Sequence, residues 1–142
     1  MTLAEQQLRV AERTKNGLLL LYADLDGLKK INDKFGHKSG DEVLVEAATV
    51  LKEVFRKMDI IARMGGDEFA VLAPESSLEY AEMINHRLQD QLDRHNSLTG
   101  RDYTLSLSIG VVYHDPSTPS SLDELTSRAD TMMYEQKRRK AP

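Results

Sequence analysis

The feature that most limits the fold is a continuous apolar run near the N-terminus, Leu-Leu-Leu-Leu-Tyr-Ala at residues 18–23. A run of this length without alternation is typical of a strand buried on both faces at the centre of a sheet. It ends abruptly in Asp24-Leu25-Asp26-Gly27, so the C-terminal end of the strand carries two acids. The run therefore predicts a central strand in a sheet with helices packed against it.

The rest of the chain alternates helical and extended patterns. Helices are predicted over about 2–16, 28–35, 39–55, 77–94 and 121–139, and further strands over about 59–64, 68–73 and 103–112. This order contains a ferredoxin-like β-α-β-β-α-β core with added helices. We therefore expect an α+β fold in which a mixed central sheet is flanked by helices.

Several helix details follow from single residues. Gly36 is a typical C-terminal stop for the short helix before it. Ser39-Gly40-Asp41-Glu42 fits a capping box, with Ser39 as the N-cap of the next helix and Glu42 three residues later. In the last helix, the helical spacing predicts four inward-facing residues: Leu122, Leu125, Ala129 and Met132.

Composition limits the functional class. The 142 residues suit a single domain covering residues 1–142. The net charge of −4 argues against a nucleic-acid-binding protein, which would show a basic face. The chain has no cysteine, which is compatible with a reducing cytoplasm, and no apolar run of membrane-spanning length. We expect a cytoplasmic domain that contacts neither nucleic acid nor membrane.

A short hairpin, Arg-Met-Gly-Gly-Asp-Glu-Phe at residues 63–69, places two adjacent acids, Asp67 and Glu68, at or just past its tip. Like charges repel unless a positive charge lies nearby. If the first strand pairs with this hairpin, Asp24 and Asp67 lie at one edge of the sheet, where they could hold a hard cation such as Mg²⁺. A pair of such ions is the usual arrangement for attack on phosphorus.

The two glycines of the hairpin fit the same picture. Because Gly65 and Gly66 have no side chains, they would let a nucleotide approach the backbone closely. The alternative is ordinary turn chemistry, since glycines followed by acids are common in hairpins that bind nothing.

The segments RMGGDEFAVL and ADLDGLKKINDKFGHKSGDEVL together resemble the GGDEF domain, the catalytic domain of bacterial diguanylate cyclases, over roughly residues 17–140. That family condenses two GTP molecules to cyclic di-GMP with loss of two pyrophosphates. Its fold is similar to the palm of polymerases and to class III nucleotide cyclases. The resemblance implies Mg²⁺ or Mn²⁺, two ions per GTP site, and a homodimer with one GTP per domain.

The resemblance assigns the metal ligands and the catalytic acids. Asp24, the backbone carbonyl of Leu25 and Asp67 correspond to metal ligands. Asp67 is also implied to help deprotonate the 3′-hydroxyl, and Glu68 to support the metals and the turn.

It also assigns substrate contacts. Asn32 and Asp41 correspond to residues that hydrogen-bond guanine and ribose, and a carboxylate can accept from both N1–H and the 2-amino group of guanine. His37 lies in the same loop, and Lys29 and Lys137 correspond to phosphate-facing lysines. Plain alternatives remain open, including a helix cap for Asn32, a helix-dipole role for Asp41, a bland loop position for His37 and a solvated surface position for Lys29.

The segment Arg56-Lys57-Met58-Asp59 matches the Arg-x-x-Asp motif of the family's inhibitory site, which binds the product with help from an arginine at the position of Arg63. We expect Arg56 and Arg63 to bind phosphate or to stack on guanine. The alternative is a helix-end arginine followed by an aspartate at the start of a strand.

Two departures from the family pattern shape the expectations. The chain starts after the family's usual Asp-x-Leu-Thr-Gly-Leu segment, so we expect a piece of a longer protein with a fused sensory or regulatory domain. Ala141 stands where a phosphate-binding arginine is expected, and Arg138, Arg139 or Lys140 are candidate replacements. The rival functions are a cyclic di-GMP receptor, a GTP-binding regulatory module and a mononucleotide cyclase.

Overall fold

A computed structural model describes residues 2–118 and 120–140. The elements in chain order are α1 (Leu3–Thr14), β1 (Gly17–Leu25), α2 (Leu28–Phe35), α3 (His37–Val54), β2 (Ile60–Gly65), β3 (Glu68–Ser76), α4 (Leu78–Thr99), β4 (Leu107–His114) and α5 (Leu122–Lys140). This is the predicted order, and the α+β class with helices flanking a central sheet is confirmed. No helix within the described residues is long and apolar enough to cross a bilayer.

The four strands lie in the order β2-β3-β1-β4, and every neighbouring pair is antiparallel. The expectation of mixed strand directions was therefore wrong in this detail. The helices α2 and α3 carry the chain from β1 to β2, and these two strands do run in the same direction. The hairpin places β3 between them, so no parallel pair shares hydrogen bonds.

The central strand is buried on both faces, as the apolar run predicted. Leu19 and Leu21 face the larger core under α3 and α4, whereas Leu18 and Leu20 face a second cluster under α1 and α5. All four are at most 4% exposed. Because β1 pairs with β3 on one side and β4 on the other, it has no free edge.

Two helix details differ from the sequence predictions. Helix α3 begins at His37 directly after Gly36, whose φ of 93° ends α2. Ser39 therefore lies inside the first turn, where its hydroxyl donates to the carbonyl of Phe35 at 3.3 Å instead of capping the helix. In α5 the inward position belongs to Met133, 5% exposed, while Met132 is 44% exposed.

Strand β4 begins at Leu107, later than predicted, because the backbone of Leu105 is hydrogen-bonded to a side chain instead of to a neighbouring strand. The Asn96 amide accepts from the Leu105 backbone amide at 2.7 Å and donates to the Leu105 carbonyl at 2.9 Å. The preceding helix α4 correspondingly extends to Thr99.

Helix α5 lies directly on β4. A Cβ added at Gly110 would overlap the carbonyl of Ala129 and lie 2.8 Å from the backbone nitrogen of Met133. The backbone amide of Ile109 also donates to the side-chain oxygen of Gln136 at 2.7 Å. These contacts fix the position of α5, which carries Lys137 at its C-terminal end.

The close packing at Gly110 gives a stability prediction. Gly110→Ala is expected to lower the free energy of unfolding by about 1–3 kcal/mol, because the added methyl group must push α5 away from β4. Chemical denaturation followed by circular dichroism measures the change. Thr131→Ala, on the exposed side of α5, is the control and should shift the midpoint little. Equal midpoints for both variants would contradict the packing argument.

Candidate functional site

The acids predicted to meet at one rim of the sheet do lie together. Asp24 is near the C-terminal end of β1 and pairs directly with Glu68, the first residue of β3. The backbone amide of Leu25 donates to the carbonyl of Asp67 at 2.9 Å, so the hairpin turn is held against the end of β1. The Asp67 carboxylate lies close enough to Asp24 to raise its pKa.

Asp24 lies in a protected environment with a lysine beside it. It is 8% exposed, and its Oδ2 accepts from the Lys137 ammonium at 2.8 Å. The same ammonium lies 3.4 Å from the carbonyl oxygen of Leu25. Burial raises the pKa of the Asp24 carboxyl, the hydrogen bond from Lys137 opposes this, and the negative charge of Asp67 adds to the rise.

The residues at this rim fit a divalent cation. The Oδ1 of Asp24 is buried and has no hydrogen-bond partner among the described residues. An unpaired carboxylate oxygen in such a place is costly unless a cation completes it. No three His, Cys, Asp or Glu side chains form a metal-binding group within residues 2–118 and 120–140. The candidate ligands are therefore two carboxylates and a carbonyl, and Mg²⁺ characteristically takes few protein oxygens.

We call the turn between β2 and β3, residues 65–68, the signature turn. An arginine of the same hairpin stabilises it. The Arg63 guanidinium donates to the Gly66 carbonyl through Nε at 3.0 Å and through Nη2 at 2.7 Å. Gly66 has a φ of 27°, which favours glycine. Apart from the glycine itself and its two chain neighbours, no atom of the described residues lies within 4 Å of a Cβ built on Gly65 or Gly66. Both glycines therefore have the open space that the nucleotide hypothesis requires.

The predicted base-binding residues cluster around the start of α3. The Asn32 amide packs so closely on Gly40 that any Cβ there would overlap it. The next residue, Asp41, is exposed and lines a cavity of about 330 Å³ together with Leu44 and Phe69. Asn32 therefore contacts the residue before Asp41, and Asp41 lines a space that could hold a ligand.

Two other predicted substrate-binding residues, Lys29 and His37, lie at the surface. Lys29 on α2 and His37 at the start of α3 are exposed to solvent. Neither makes a side-chain hydrogen bond within the part of the chain that the structure describes.

A polar cleft of about 540 Å³ lies on the other side of the β1 end and is lined by Lys30, Lys137 and Lys140 among others. Lys140 donates to Asp26 at 2.9 Å and to the Leu107 carbonyl at 2.8 Å. Asp26 has a structural role here, because it also accepts from two serine hydroxyls at the start of β4. The expectation about Ala141 lies outside the described residues.

The Arg-x-x-Asp motif forms a closed intramolecular cluster. The Asp59 side chain is fully buried and pairs with Arg56, whose Nη2 lies 2.9 Å from Oδ1. The Tyr80 hydroxyl donates to Asp59 Oδ2 at 2.8 Å, and the Arg56 guanidinium lies 4.5 Å from the centroid of the Tyr80 ring. Arg56 also donates to the Pro74 carbonyl at 2.7 Å. We call these residues, Arg56, Asp59 and Tyr80, the Asp59 cluster.

Arg63 does not join the Asp59 cluster in this structure. Its guanidinium contacts the turn before β3, whereas Arg56 contacts Pro74 near the other end of that strand. Two contacts at these sites were not foreseen. Tyr80 is 21 positions from Asp59, and Lys137 is 113 positions from Asp24. No local sequence pattern reports pairs at such separations.

Comparison with known proteins places these features in a family. A family model described as "Diguanylate cyclase, GGDEF domain" matches residues 2–141. An uncharacterized protein of Bacillus subtilis, YhcK, is 41% identical over 122 residues, which is 83% of this chain and 33% of that protein. The probable diguanylate cyclase DgcE of Escherichia coli is 35% identical over 138 residues, covering 94% of this chain and 12% of that protein.

A solved structure shares the architecture. The GGDEF domain of DgcB from Caulobacter crescentus, crystallised in complex with c-di-GMP, matches with a TM-score of 0.81 and 26% identity. The match covers 96% of this chain and 81% of that one. By contrast, this chain spans one third or less of the two curated relatives.

The Asp59 cluster gives a testable prediction about stability. Tyr80→Phe removes a donor to a buried carboxylate and should lower the free energy of unfolding at pH 8 by about 1.5–3 kcal/mol. Tyr113→Phe, a substitution of the same kind on β4, is the reference for losing a hydroxyl elsewhere. Equal stability of Tyr80→Phe and the wild type would show that the hydroxyl does not support Asp59.

The same cluster predicts a pH dependence. Burial and the hydrogen bond to Asp59 raise the pKa of Tyr80 to about 12, above its ordinary value of 10.0. Because the folded state holds this proton more tightly, its contribution to stability is complete below pH 10 and declines as the pH rises toward 12. Denaturant unfolding between pH 9 and 11 should therefore show a steeper loss for the wild type than for Tyr80→Phe. Parallel curves would contradict this.

Proposed function

The chain belongs to the GGDEF family of diguanylate cyclase domains, and on that premise we propose that it condenses two GTP molecules to cyclic di-GMP and two pyrophosphates. The observation that supports this most directly is the contact between the end of β1 and the signature turn, which brings Asp24 beside Asp67. That rim has oxygen ligands, an unpaired buried carboxylate oxygen and open space at both glycines.

In this proposal Asp24, Asp67 and the Leu25 carbonyl hold Mg²⁺ or Mn²⁺, two ions per GTP. When bound, the metal neutralises phosphate charge and lowers the pKa of the attacking hydroxyl. Asp67 accepts the proton of the 3′-hydroxyl, and Glu68, paired across the strands with Asp24, supports the turn. The 3′-oxygen forms a bond to the α-phosphorus of the other GTP, the bond to the β-phosphate breaks, and pyrophosphate leaves.

The remaining residues bind and orient the nucleotide. Asp41 and Asn32 hold guanine and ribose beside the cavity that Asp41 lines, and His37 lies at the start of the same helix. Lys29 and Lys137 contact the phosphates. Gly65 and Gly66 let the nucleotide approach the turn.

The product requires two copies of the domain. Cyclic di-GMP is two-fold symmetric, so each hydroxyl must attack the phosphate held by the facing domain. The proposed partners are thus GTP, cyclic di-GMP, a second copy of this domain and, in the longer protein, a fused sensory or regulatory domain. We propose a cytoplasmic location for this domain.

We also propose that cyclic di-GMP binds at an inhibitory site formed by the Arg-x-x-Asp motif. In this site Arg56 and Asp59 would bind cyclic di-GMP, whereas Arg63, which contacts the turn before β3, does not join them in this structure. Asp59 already has its partners in Arg56 and Tyr80, so product bound at this site would add to or replace bonds that Arg56 already makes. Calorimetry with cyclic di-GMP on Arg56→Ala and, separately, on Asp67→Ala tests whether binding occurs here.

The catalytic assignment predicts the effect of neutralising either acid. Asp24→Asn and Asp67→Asn should each reduce product formation by at least about a hundredfold, because the metal ligands and the proton acceptor are lost. Chromatography of incubations with GTP, ATP and their mixture identifies the product. Asp33→Asn, at an exposed position on α2, should retain activity. Absence of a cyclic dinucleotide from the wild type with GTP would overturn the proposal in favour of a receptor or regulatory module.

The need for two facing domains predicts a concentration dependence. Specific activity of the isolated domain should fall on dilution, because an encounter of two domains precedes chemistry. Initial rates with saturating GTP over a hundredfold range of protein concentration test this. A rate per domain that stays constant across the range would contradict transient dimerisation.

A further inference from the structure

The Lys137 ammonium and the proposed metal use the same oxygens. Its Nζ lies 2.8 Å from Asp24 Oδ2 and 3.4 Å from the Leu25 carbonyl. A cation that binds these two atoms therefore meets a positive charge already in place. The ammonium carries one charge and has hydrogen-bond geometry, so it only partly neutralises the pair Asp24 and Asp67, and Asp24 Oδ1 remains unpaired.

We propose that Lys137 is an internal counter-ion that competes with the divalent cation for Asp24 and Leu25, so that metal binds strongly only together with the nucleotide. The proposal rests on the metal–nucleotide site described above. It adds a mechanism by which one residue of this chain links the two binding events.

The position of Lys137 allows this exchange without movement of its helix. Helix α5 is fixed on β4 by the contacts at Gly110 and Gln136. The Lys137 side chain, however, is 38% exposed and borders the open polar cleft of about 540 Å³. Rotation of its methylene chain is enough to move the ammonium from Asp24 into that cleft.

The charges favour exchange only when a polyphosphate is present. Without a nucleotide, moving Lys137 away from Asp24 places its ammonium in a cleft that already contains Lys30 and Lys140. Asp26 also lines the cleft, but its carboxylate is already bonded to Lys140 and to two serine hydroxyls. A triphosphate supplies further negative charge, and the ammonium gains a new partner there. Metal and nucleotide then bind cooperatively, and the coupling acts equally in both directions.

Lys140 provides a matched comparison. It is also a lysine on α5 at the same cleft, with a side chain 41% exposed, but it pairs with Asp26 at 2.9 Å instead of Asp24. Asp26 is saturated by serine hydroxyls and Lys140. Loss of Lys140 therefore removes similar charge from the cleft without freeing the oxygens of the proposed metal site.

The test measures Mn²⁺ binding to the full 142-residue chain by calorimetry, first with Mn²⁺ alone and then in the presence of a non-hydrolysable GTP analogue. For the wild type, the analogue should tighten Mn²⁺ binding by about tenfold or more. For Lys137→Met, binding of Mn²⁺ alone should strengthen by about tenfold, and the gain from the analogue should shrink accordingly. Lys140→Met should leave the affinity for Mn²⁺ alone near the wild-type value, because Asp24 and Leu25 keep Lys137 as their partner.

A second measurement is independent of nucleotide. Lys137→Met leaves Asp24 without its partner, so its thermal midpoint should fall without metal and recover with Mn²⁺ more than the wild type does. Lys137→Gln is the alternative neutral variant if the methionine variant folds poorly.

If Lys137→Met and Lys137→Gln bind Mn²⁺ alone with the wild-type affinity, the competition between Lys137 and the metal is overturned. The proposed cyclase site is then unaffected. A failure of the wild type and the variants to bind Mn²⁺ even with the analogue would overturn both. An effect of Lys140→Met as large as that of Lys137→Met would overturn the specific role of Lys137, because general charge would then explain the result.

Discussion

The hydrogen bond from the Leu25 amide to the Asp67 carbonyl joins the end of the central strand to the hairpin turn. Most of the site depends on this junction, because it fixes Asp67 beside Asp24 through the backbone. Two carboxylates in this position repel each other. The backbone therefore holds together what the side chains alone would separate, and a cation, from Lys137 or from solution, offsets the repulsion.

The two faces of the sheet carry different parts of the proposed site around that junction. Asp24 shares its face of β1 with Leu18 and Leu20, and this face packs against α5, which supplies Lys137. The opposite face packs against α3, which presents Asp41 at a separate cavity. A nucleotide bound in the proposed way would reach around the β1 end, with its base on the α3 side and its phosphates on the α5 side.

Much of this arrangement was readable from the sequence because it follows from local patterns. The unbroken apolar run identified β1, and the two glycines located the turn that follows β2. The mixed strand directions were wrong because periodicity carries no information about which strand the hairpin places next to β1. Helical spacing predicts Met132 on the inward stripe, whereas the structure buries the adjacent Met133, because the spacing of the stripe does not separate two neighbouring positions. The contacts of Tyr80 with Asp59 and of Lys137 with Asp24 depend on packing between distant elements, which no spacing rule contains.

The Asp59 cluster changes what the Arg-x-x-Asp pattern means in this chain. Arg56 fastens the end of α3 to the carbonyl of Pro74, and Tyr80 extends that attachment to α4. Residues of the motif that the resemblance links to product inhibition thus hold together α3, β3 and α4. The contacts of Arg56 and Asp59 join these elements independently of any bound product. A substitution of Arg56 made to test product binding would therefore loosen the scaffold at the same time.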